Sequence, residues 1–474
     1  MRSSHPGFPA IWLLCALVAG KADAADRVWL IGGGYDLDNS QVQIEQNVLW
    51  ARDVLRELPG GRDIRVYFND GDDPAFDITL WEAPAESAAT LQPLARVYDS
   101  YNLNGEAVRS HRIAPVDGPA TRAAVRAALR DGIAALAPGT QGLVVYAGHG
   151  SRGESNSVLD LWGDAAFAPA DLRAAVAAQP ADTRLRFVFT QCYAGGFHEA
   201  VVPGPDEPER CGFYAVSAEQ PSEGCTASLD VADYRGYGTY FFAALAGRAR
   251  DGGALHADPD RDGDGRTDPY EAHLYTLRAA RSTDVPRSSS EQFLLDWEPW
   301  YLPLLPVAPQ PDNPYPGTAA ALAADLGIDA PGRRALLEHR KQVRAQIRRL
   351  IYRQEQARGR AQGAMAQLRQ AVEHRWPGAR YPYTLAYQRF LEQDLDAAQA
   401  FIAAHALYPD LVRDQNDYWV LDRAVLELQR RLAQLDRIEH LQRLGRLRDA
   451  FIARGGKSER AQYERLLACE RQPL

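Results

Sequence analysis

With 474 residues, 46% of them hydrophobic and 24% charged, the chain has length for two or three domains and apolar content for a sizeable core. Global disorder is excluded on that composition, and a net charge of −9 argues against nucleic acid as the main partner.

In chain order, the first element is a secretory signal over residues 1–24. Arg2 and His5 form a short basic start, the apolar stretch Phe8 to Gly20 follows, and Ala22-Asp23-Ala24 has the small-x-small form of a cleavage site. That stretch is too short to span a bilayer, and no later run reaches about 18 apolar residues, so no stable membrane anchor is expected. Cys15 lies in "WLLC", without the small residues that precede a lipidated cysteine. The expectation is a mature chain from about Ala25, secreted or periplasmic. Abundant Ala, Arg and Asp with little Lys fits a GC-rich bacterium.

From Arg27, apolar runs of strand type alternate with helical patterns. "RVWLIGGG" reads as a strand. "NSQVQIEQNVLWARDVLREL" reads as a helix with Ser40 and Gln43 spaced as a capping box. "DIRVYF" is a second strand running into the turn-rich "NDGDDP". "TRAAVRAALRDGIAALAPG" is an amphipathic helix, followed by the strand "QGLVVYAG" and a helix "APADLRAAVAAQP" with Pro169 in its first turn. "LRFVFTQC" and "GFYAVSA" are further strands, and "GTYFFAALAGRA" a further helix. Short continuous apolar strands separated by helices predict an α/β fold, a mostly parallel sheet sandwiched by helices.

Residues 302–317, including "LPLLPVAPQPDNPYP", read as a Pro-rich linker between a domain over 25–301 and a second one over 318–474. In the second, strands vanish and long polar helices take over. Leu336, Val343, Ile347 and Leu350 make a narrow apolar stripe, which predicts an all-α helical hairpin or small bundle. Its Arg-rich faces carry interleaved Glu and Asp, the mark of a solvated helix surface rather than a nucleic-acid site. No nucleic-acid partner is expected.

Two strands stop at residues that carry chemistry. "VVYAGHGSRG" ends at His149 between glycines, and "FVFTQCYAGGF" ends at Cys192. In an open parallel sheet such residues project from the carboxyl edge, where active groups gather. A thiol attacks as thiolate, and a neighbouring imidazole and the start of the following helix are expected to lower its pKa. The amide at Gly150, with that of Cys192, suits an oxyanion hole. His149 alone would read as a buried strand-end histidine; together with Cys192, in that order, the pair predicts catalysis. His198 lies on the next helix and is expected at the surface, and a zinc site from His149, Cys192 and His198 lacks close ligand spacing. In an oxidising compartment, Cys211 and Cys225 are expected to pair across a short loop, leaving Cys192 free.

"YAGHG" and "TQCYAGG", in order and at this separation, resemble the two catalytic blocks of the legumain, caspase and metacaspase family of cysteine peptidases. The resemblance spans about Arg27 to Trp300. It implies a caspase-like fold and an exported cysteine endopeptidase acting on protein or peptide substrates. His149 would handle the proton, Cys192 would be the nucleophile, and Gly150 the oxyanion amide donor. The family has Glu, Asp or Gln two residues before the cysteine, whereas this chain has Thr190. Thr190, Asp36, Asp38 and Ser217 are the substrate-pocket positions that the resemblance implies. By analogy with the helical prodomain of legumains, the C-terminal helices would cover the cleft or dock a partner.

"DPDRDGDGRTDPYEA" places Asp260, Asp262, Asp264, Asp268 and Glu271 at positions 1, 3, 5, 9 and 12 of the calcium loop pattern, with Gly265 at 6. Alternating carboxylates surround a hard cation, the glycine permits the turn, and Arg266 would offer its backbone carbonyl. No second such loop exists, so a lone, structural EF-hand-like Ca2+ loop is expected. "IGGGYD" does not complete a nucleotide-binding glycine pattern, since Leu37 stands where the third glycine would be. Two other functions remain open. One is a catalytically silent caspase-like module for calcium-dependent binding or adhesion; the other is a peptide ligase or transpeptidase using the same dyad.

Overall fold

The computed structural model describes residues 25–81, 93–98, 106–153, 157–163, 165–302, 306–329 and 331–474. The signal expected at 1–24 lies outside the described residues. The fold is mixed α/β, with a mostly parallel central sheet and a helical C-terminal region.

The sheet is built from β1 (Asp26–Gly33), β2 (Arg62–Phe68), β5 (Gln141–Ser151), β8 (Arg184–Phe189), β9 (Glu209–Tyr214) and β10 (Arg287–Ser288). Their spatial order is β10-β9-β8-β5-β1-β2; β10 is antiparallel to β9 and the rest run parallel. Two short additions carry no clear sequence signal. β3 (Ile78–Trp81) pairs with β4 (Glu106–Arg109), and β6 (Val158–Leu161) with β7 (Ala165–Phe167) extends from the far end of β5.

Alternation along the strands divides the core into two layers. On one face Val28, Leu30, Val145 and Ala147 pack under α1 (Val42–Glu57) and a helix over 237–246. On the other, Trp29, Ile31, Val144 and Tyr146 pack under α2 (Arg122–Ala134) and α3 (Pro169–Val176), whose Pro169 stands at the first helical turn as expected. Each fully buried aromatic or branched side chain contributes roughly 1.5–3 kcal/mol. The helix over 237–246 is α4 (Tyr237–Ala246) and is followed by α5 (Pro269–Ala279). The expected capping box at α1 does not form. Ser40 Oγ instead accepts from Asn69 Nδ2 at 2.8 Å, and Gln43 Oε1 accepts from the Thr226 N–H at 2.9 Å. Both side chains tie neighbouring loops to the helix start, so Gln41 becomes the N-cap residue with no side-chain cap bond.

The C-terminal region comprises α6 (Ser289–Trp297), α7 (Pro314–Asp325), α8 (Arg333–Arg375), α9 (Tyr408–Arg454) and α10 (Lys457–Arg471), with two short helices between α8 and α9. The linker stretch ends inside α7, where Asn313 Oδ1 caps the Tyr315 N–H at 3.2 Å and Pro314 opens the helix. α8 and α9 form the expected hairpin. Arg340 pairs with Asp436, Gln354 with Asp422, and Arg360 with Asp414, so one helix advances as the other returns.

A continuous core joins the two regions. Tyr270, Leu274 and Leu277 of α5 and Leu294 of α6 share it with Tyr315, Leu441, Leu444 and Tyr463 from further along the chain. Beneath the sheet, the buried Arg186 donates from Nε to the Cys469 carbonyl at 3.0 Å and from a terminal nitrogen to the Pro473 carbonyl at 3.2 Å. Glu470 is fully buried and accepts from the Ser290 N–H at 2.7 Å and the Ser290 hydroxyl at 2.6 Å. The disulfide joins Cys211 to Cys469, across 258 residues, and not to Cys225 as the short spacing suggested. Cys211 lies in β9, buried against α10, while Cys225 stands free on an exposed loop beyond the strand.

Candidate active site

β5 and β8 are parallel neighbours in register, Tyr146 opposite Phe189. Three residues beyond that pair stand His149 and Cys192. The two strand ends meet closely: a Cβ built on Gly150 would lie 2.5 Å from the Cys192 carbonyl oxygen and 2.5 Å from Gln191 Cγ. A glycine at 150 is therefore a packing requirement. The loop after Cys192 turns through Tyr193, whose φ of 59° is left-handed. It is then pinned by the Tyr193 N–H to the Gln220 carbonyl at 2.9 Å and the Gly195 N–H to the Val216 carbonyl at 3.0 Å.

The His149 ring is held from the β1–α1 loop. Its Nε2 lies 2.9 Å from Gln41 Oε1, it bonds the Asn39 carbonyl, and Tyr35 contacts it edge-on at 6.0 Å between centroids. Burial holds the imidazole below its usual pKa, partly offset by the Asn39 bond. The Cys192 thiol is gripped by one residue: Sγ accepts from the Ser222 N–H at 3.2 Å and contacts the Ser222 carbonyl at 3.6 Å. Burial pushes this thiol above its usual range, although the Ser222 N–H opposes that. The expected lowering of the thiol by an imidazole and a helix start is not the resting arrangement. Both groups favour their neutral forms, because both are partly desolvated and each is bonded to something else.

A cavity of about 30 Å3 opens beside the thiol. Thr190 lines it together with Val145, Phe242, Ser222, Glu223 and Gly238, which did not stand out in the sequence, and with the free Cys225. The other expected pocket positions lie elsewhere. Asp36 is exposed and caps Asn39, accepting from its N–H at 2.9 Å. Asp38 offers its carbonyl to Gln41 Nε2 at 3.3 Å, so both aspartates belong to the loop that holds His149 rather than to the cavity. Ser217 is buried behind Gly195, its hydroxyl accepting from the Glu219 N–H. His198 is not at the surface but half-buried, edge-on to Tyr214 at 5.9 Å, and burial lowers its pKa to about 4.

Glu223, on the cavity rim, is paired with Arg430 of α9, whose Nε lies 3.0 Å from Oε1 and 3.3 Å from Oε2. Its Oε2 also accepts from the Thr283 N–H at 3.0 Å. Behind it, the buried Asp284 accepts from the N–H groups of Glu223 at 2.8 Å and Tyr237 at 3.1 Å. Burial raises Asp284 to about 7.

In the acidic loop, Asp260, Asp262 and Asp264 come together, with ligand oxygens within 4.8 Å of one another. Asp260 accepts from the N–H groups of Gly263 at 2.7 Å and Gly265 at 2.9 Å; both glycines have positive φ. The Arg266 N–H bonds Asp264 Oδ1 at 2.8 Å. Asp268 and Glu271 do not converge with that trio. They form a capping box at the start of α5, and Glu271 Oε1 accepts from the Arg261 N–H at 2.7 Å. Burial raises Asp268 to about 7. A second cluster joins Asp70 and Asp77 to His111 from further along the chain; His111 Nδ1 lies 2.7 Å from Asp77 Oδ2.

Among described residues, no helix is long and apolar enough to cross a membrane. No family model matches the chain, and no curated protein does. Among solved structures it is similar to protein GSU0716 from Geobacter sulfurreducens, at 12% identity and a TM-score of 0.34, over 56% of this chain and 92% of that one.

Proposed function

We propose that the chain is an exported cysteine endopeptidase of caspase-like fold, with Cys192 as nucleophile and His149 as proton carrier. The observation that supports it is the meeting of the two strand ends, Gly150 packed on Cys192, with a cavity open beside the thiol. Substrate entering between them would displace the Ser222 contact. The thiol proton passes to His149 as sulfur attacks the peptide carbonyl carbon; the leaving amine then takes that proton, and water cleaves the thioester. The backbone N–H groups of Gly150 and Cys192 are the oxyanion donors of this reading.

The trio Asp260, Asp262 and Asp264 supplies the all-oxygen donors that a hard dication such as Ca2+ prefers. In this reading Ca2+ stiffens the loop that leads into α5, with Arg266 contributing its carbonyl and Asp268 and Glu271 setting the helix start.

A second reading has an observation of its own. Cys192 and His149 rest neutral, each bonded to something other than its partner, which suits a catalytically silent binding module. The deciding experiment incubates the chain, and Cys192→Ala, with a diverse peptide mixture and reads new termini by mass spectrometry. Cleavage lost in the variant supports the peptidase. Joined products would identify a ligase, and no products with an unreactive thiol would leave the binding module.

A further inference from the structure

The cavity beside Cys192 has one formally charged lining residue, Glu223. That carboxylate is cancelled from far away in the sequence. Arg430 of α9 grips both its oxygens, and the pair is little exposed, at 11% for the Arg430 side chain and 16% for Glu223. Arg430 is itself held by Glu427 one turn earlier, and Glu427 also pairs with Arg235 at 3.2 Å. The remaining polar groups of the lining are neutral. Thr190 Oγ1 donates to the Tyr146 carbonyl at 3.0 Å, and Ser222 Oγ to the Thr190 carbonyl at 3.0 Å. The Gln191 amide, 1% exposed, has neither its nitrogen nor its oxygen bonded. The space is closed by Thr190, Gly238 and Phe242: a Cβ on Gly238 would sit 3.4 Å from Thr190 Cγ2 and 4.0 Å from Phe242.

We propose that Arg430 is a specificity-determining positioning residue: by cancelling Glu223 it makes the cavity beside Cys192 a receptor for small uncharged side chains, of the size of Ala or Ser. This rests on the peptidase reading for its substrate, but the charge cancellation is measurable without it. The cavity volume admits a group of roughly one or two heavy atoms. A low-dielectric wall on the Val145 and Phe242 side makes any uncancelled charge there strongly felt. Without Arg430, the charge of Glu223 at the cavity rim stands uncancelled and favours a cationic group at the mouth over an anionic one. The helical hairpin thus acts on the site through the neutralisation of one rim charge.

The test measures the rates at which cationic (2-aminoethyl) and anionic (2-sulfonatoethyl) methanethiosulfonates modify Cys192. It uses the full chain carrying Cys15→Ser and Cys225→Ser, at low salt. Arg430→Gln is expected to raise the cationic-to-anionic rate ratio about tenfold. Glu223→Gln alone leaves Arg430 only the Glu427 carboxylate that Arg235 shares, and is expected to lower the ratio, and the double variant to restore it. If Arg430→Gln fails to fold, Glu223→Gln still decides. A ratio unmoved by the variants overturns the proposal. In the peptide mixture, the unaltered chain is expected to cut after Ala or Ser, and Arg430→Gln to keep that size limit. Cuts after Lys or Arg by the unaltered chain overturn the substrate class while leaving the peptidase standing. No cuts by any variant, with the expected rate ratios, removes the peptidase reading and leaves the neutral cavity.

Discussion

Gly150 stands so close to Cys192 that a Cβ on the one would press to 2.5 Å of the carbonyl oxygen of the other. Backbone lies on both sides of that contact, so neither partner can swing away as a side chain would. Gly150→Ala is expected to cost about 1–3 kcal/mol in a denaturant titration. It should also abolish peptide cleavage by prising apart the strand ends that carry His149 and Cys192. Unchanged stability and activity would show that the strand ends have room to part.

Burial holds the Cys192 thiol above its usual range and the His149 imidazole below its own. At neutral pH the resting pair is therefore thiol and imidazole, not thiolate and imidazolium. Alkylation of Cys192 by iodoacetamide should climb steadily into the alkaline range, with no plateau extending down to pH 6. An acid plateau would mean a preformed ion pair.

Calcium is expected to raise the melting temperature through the Asp260, Asp262 and Asp264 trio. At a hundredfold excess over its dissociation constant the stabilisation is about 2.7 kcal/mol. Asp260→Asn weakens one ligand and should remove most of the shift, whereas Asp70→Asn should leave it intact. A shift of equal size in both variants would place the ion elsewhere.

Cys469→Ser opens a loop of 258 residues and removes the bond beneath β9. A loss of about 2–5 kcal/mol is expected in a chemical-denaturation midpoint. Cys225→Ser, at an exposed free cysteine, should move it little. Equal effects of the two would contradict the pairing.

Two buried carboxyl groups hold their protons unusually late: Asp284 to about 7 and Glu470 to about 8. In the unfolded chain such groups lose them near about 4. Folding therefore takes up protons between those values. Their contribution is complete below about pH 4 and is lost as pH rises through 7 to 8. The melting temperature should be higher at pH 5.5 than at pH 8.5, and Glu470→Gln should shrink that difference. A difference that Glu470→Gln does not alter would assign it to other groups.

What the sequence made legible was local. Continuous apolar runs such as Val144 to Ala147 and Phe187 to Phe189 revealed parallel strands, because burial on both faces leaves no polar alternation. His149 and Cys192 stood out because each breaks such a run. The hairpin of α8 and α9 followed from the stripe that begins at Leu336. Pairings between distant segments were hidden. Cys211 had a near candidate in Cys225, and only the docking of α10 under β9 selects Cys469. Ser40 and Gln43 matched a helix cap by spacing, yet Asn69 and Thr226 claimed them instead. Gln41, which meets His149, and Arg430, which meets Glu223, carry no local pattern at all. Their partners lie 108 and 207 residues away.

The bond between Cys211 and Cys469 encloses the loop beside the candidate site, the acidic turn and the whole helical hairpin within one covalent ring. A single backbone cut anywhere inside that ring yields two fragments that remain one molecule. Nicking within the exposed stretch from Leu229 to Asp233 would thus release no fragment, and the two pieces would separate on a gel only after reduction. Self-processing of this chain, at any site between those cysteines, would change its ends without changing its mass beyond one added water.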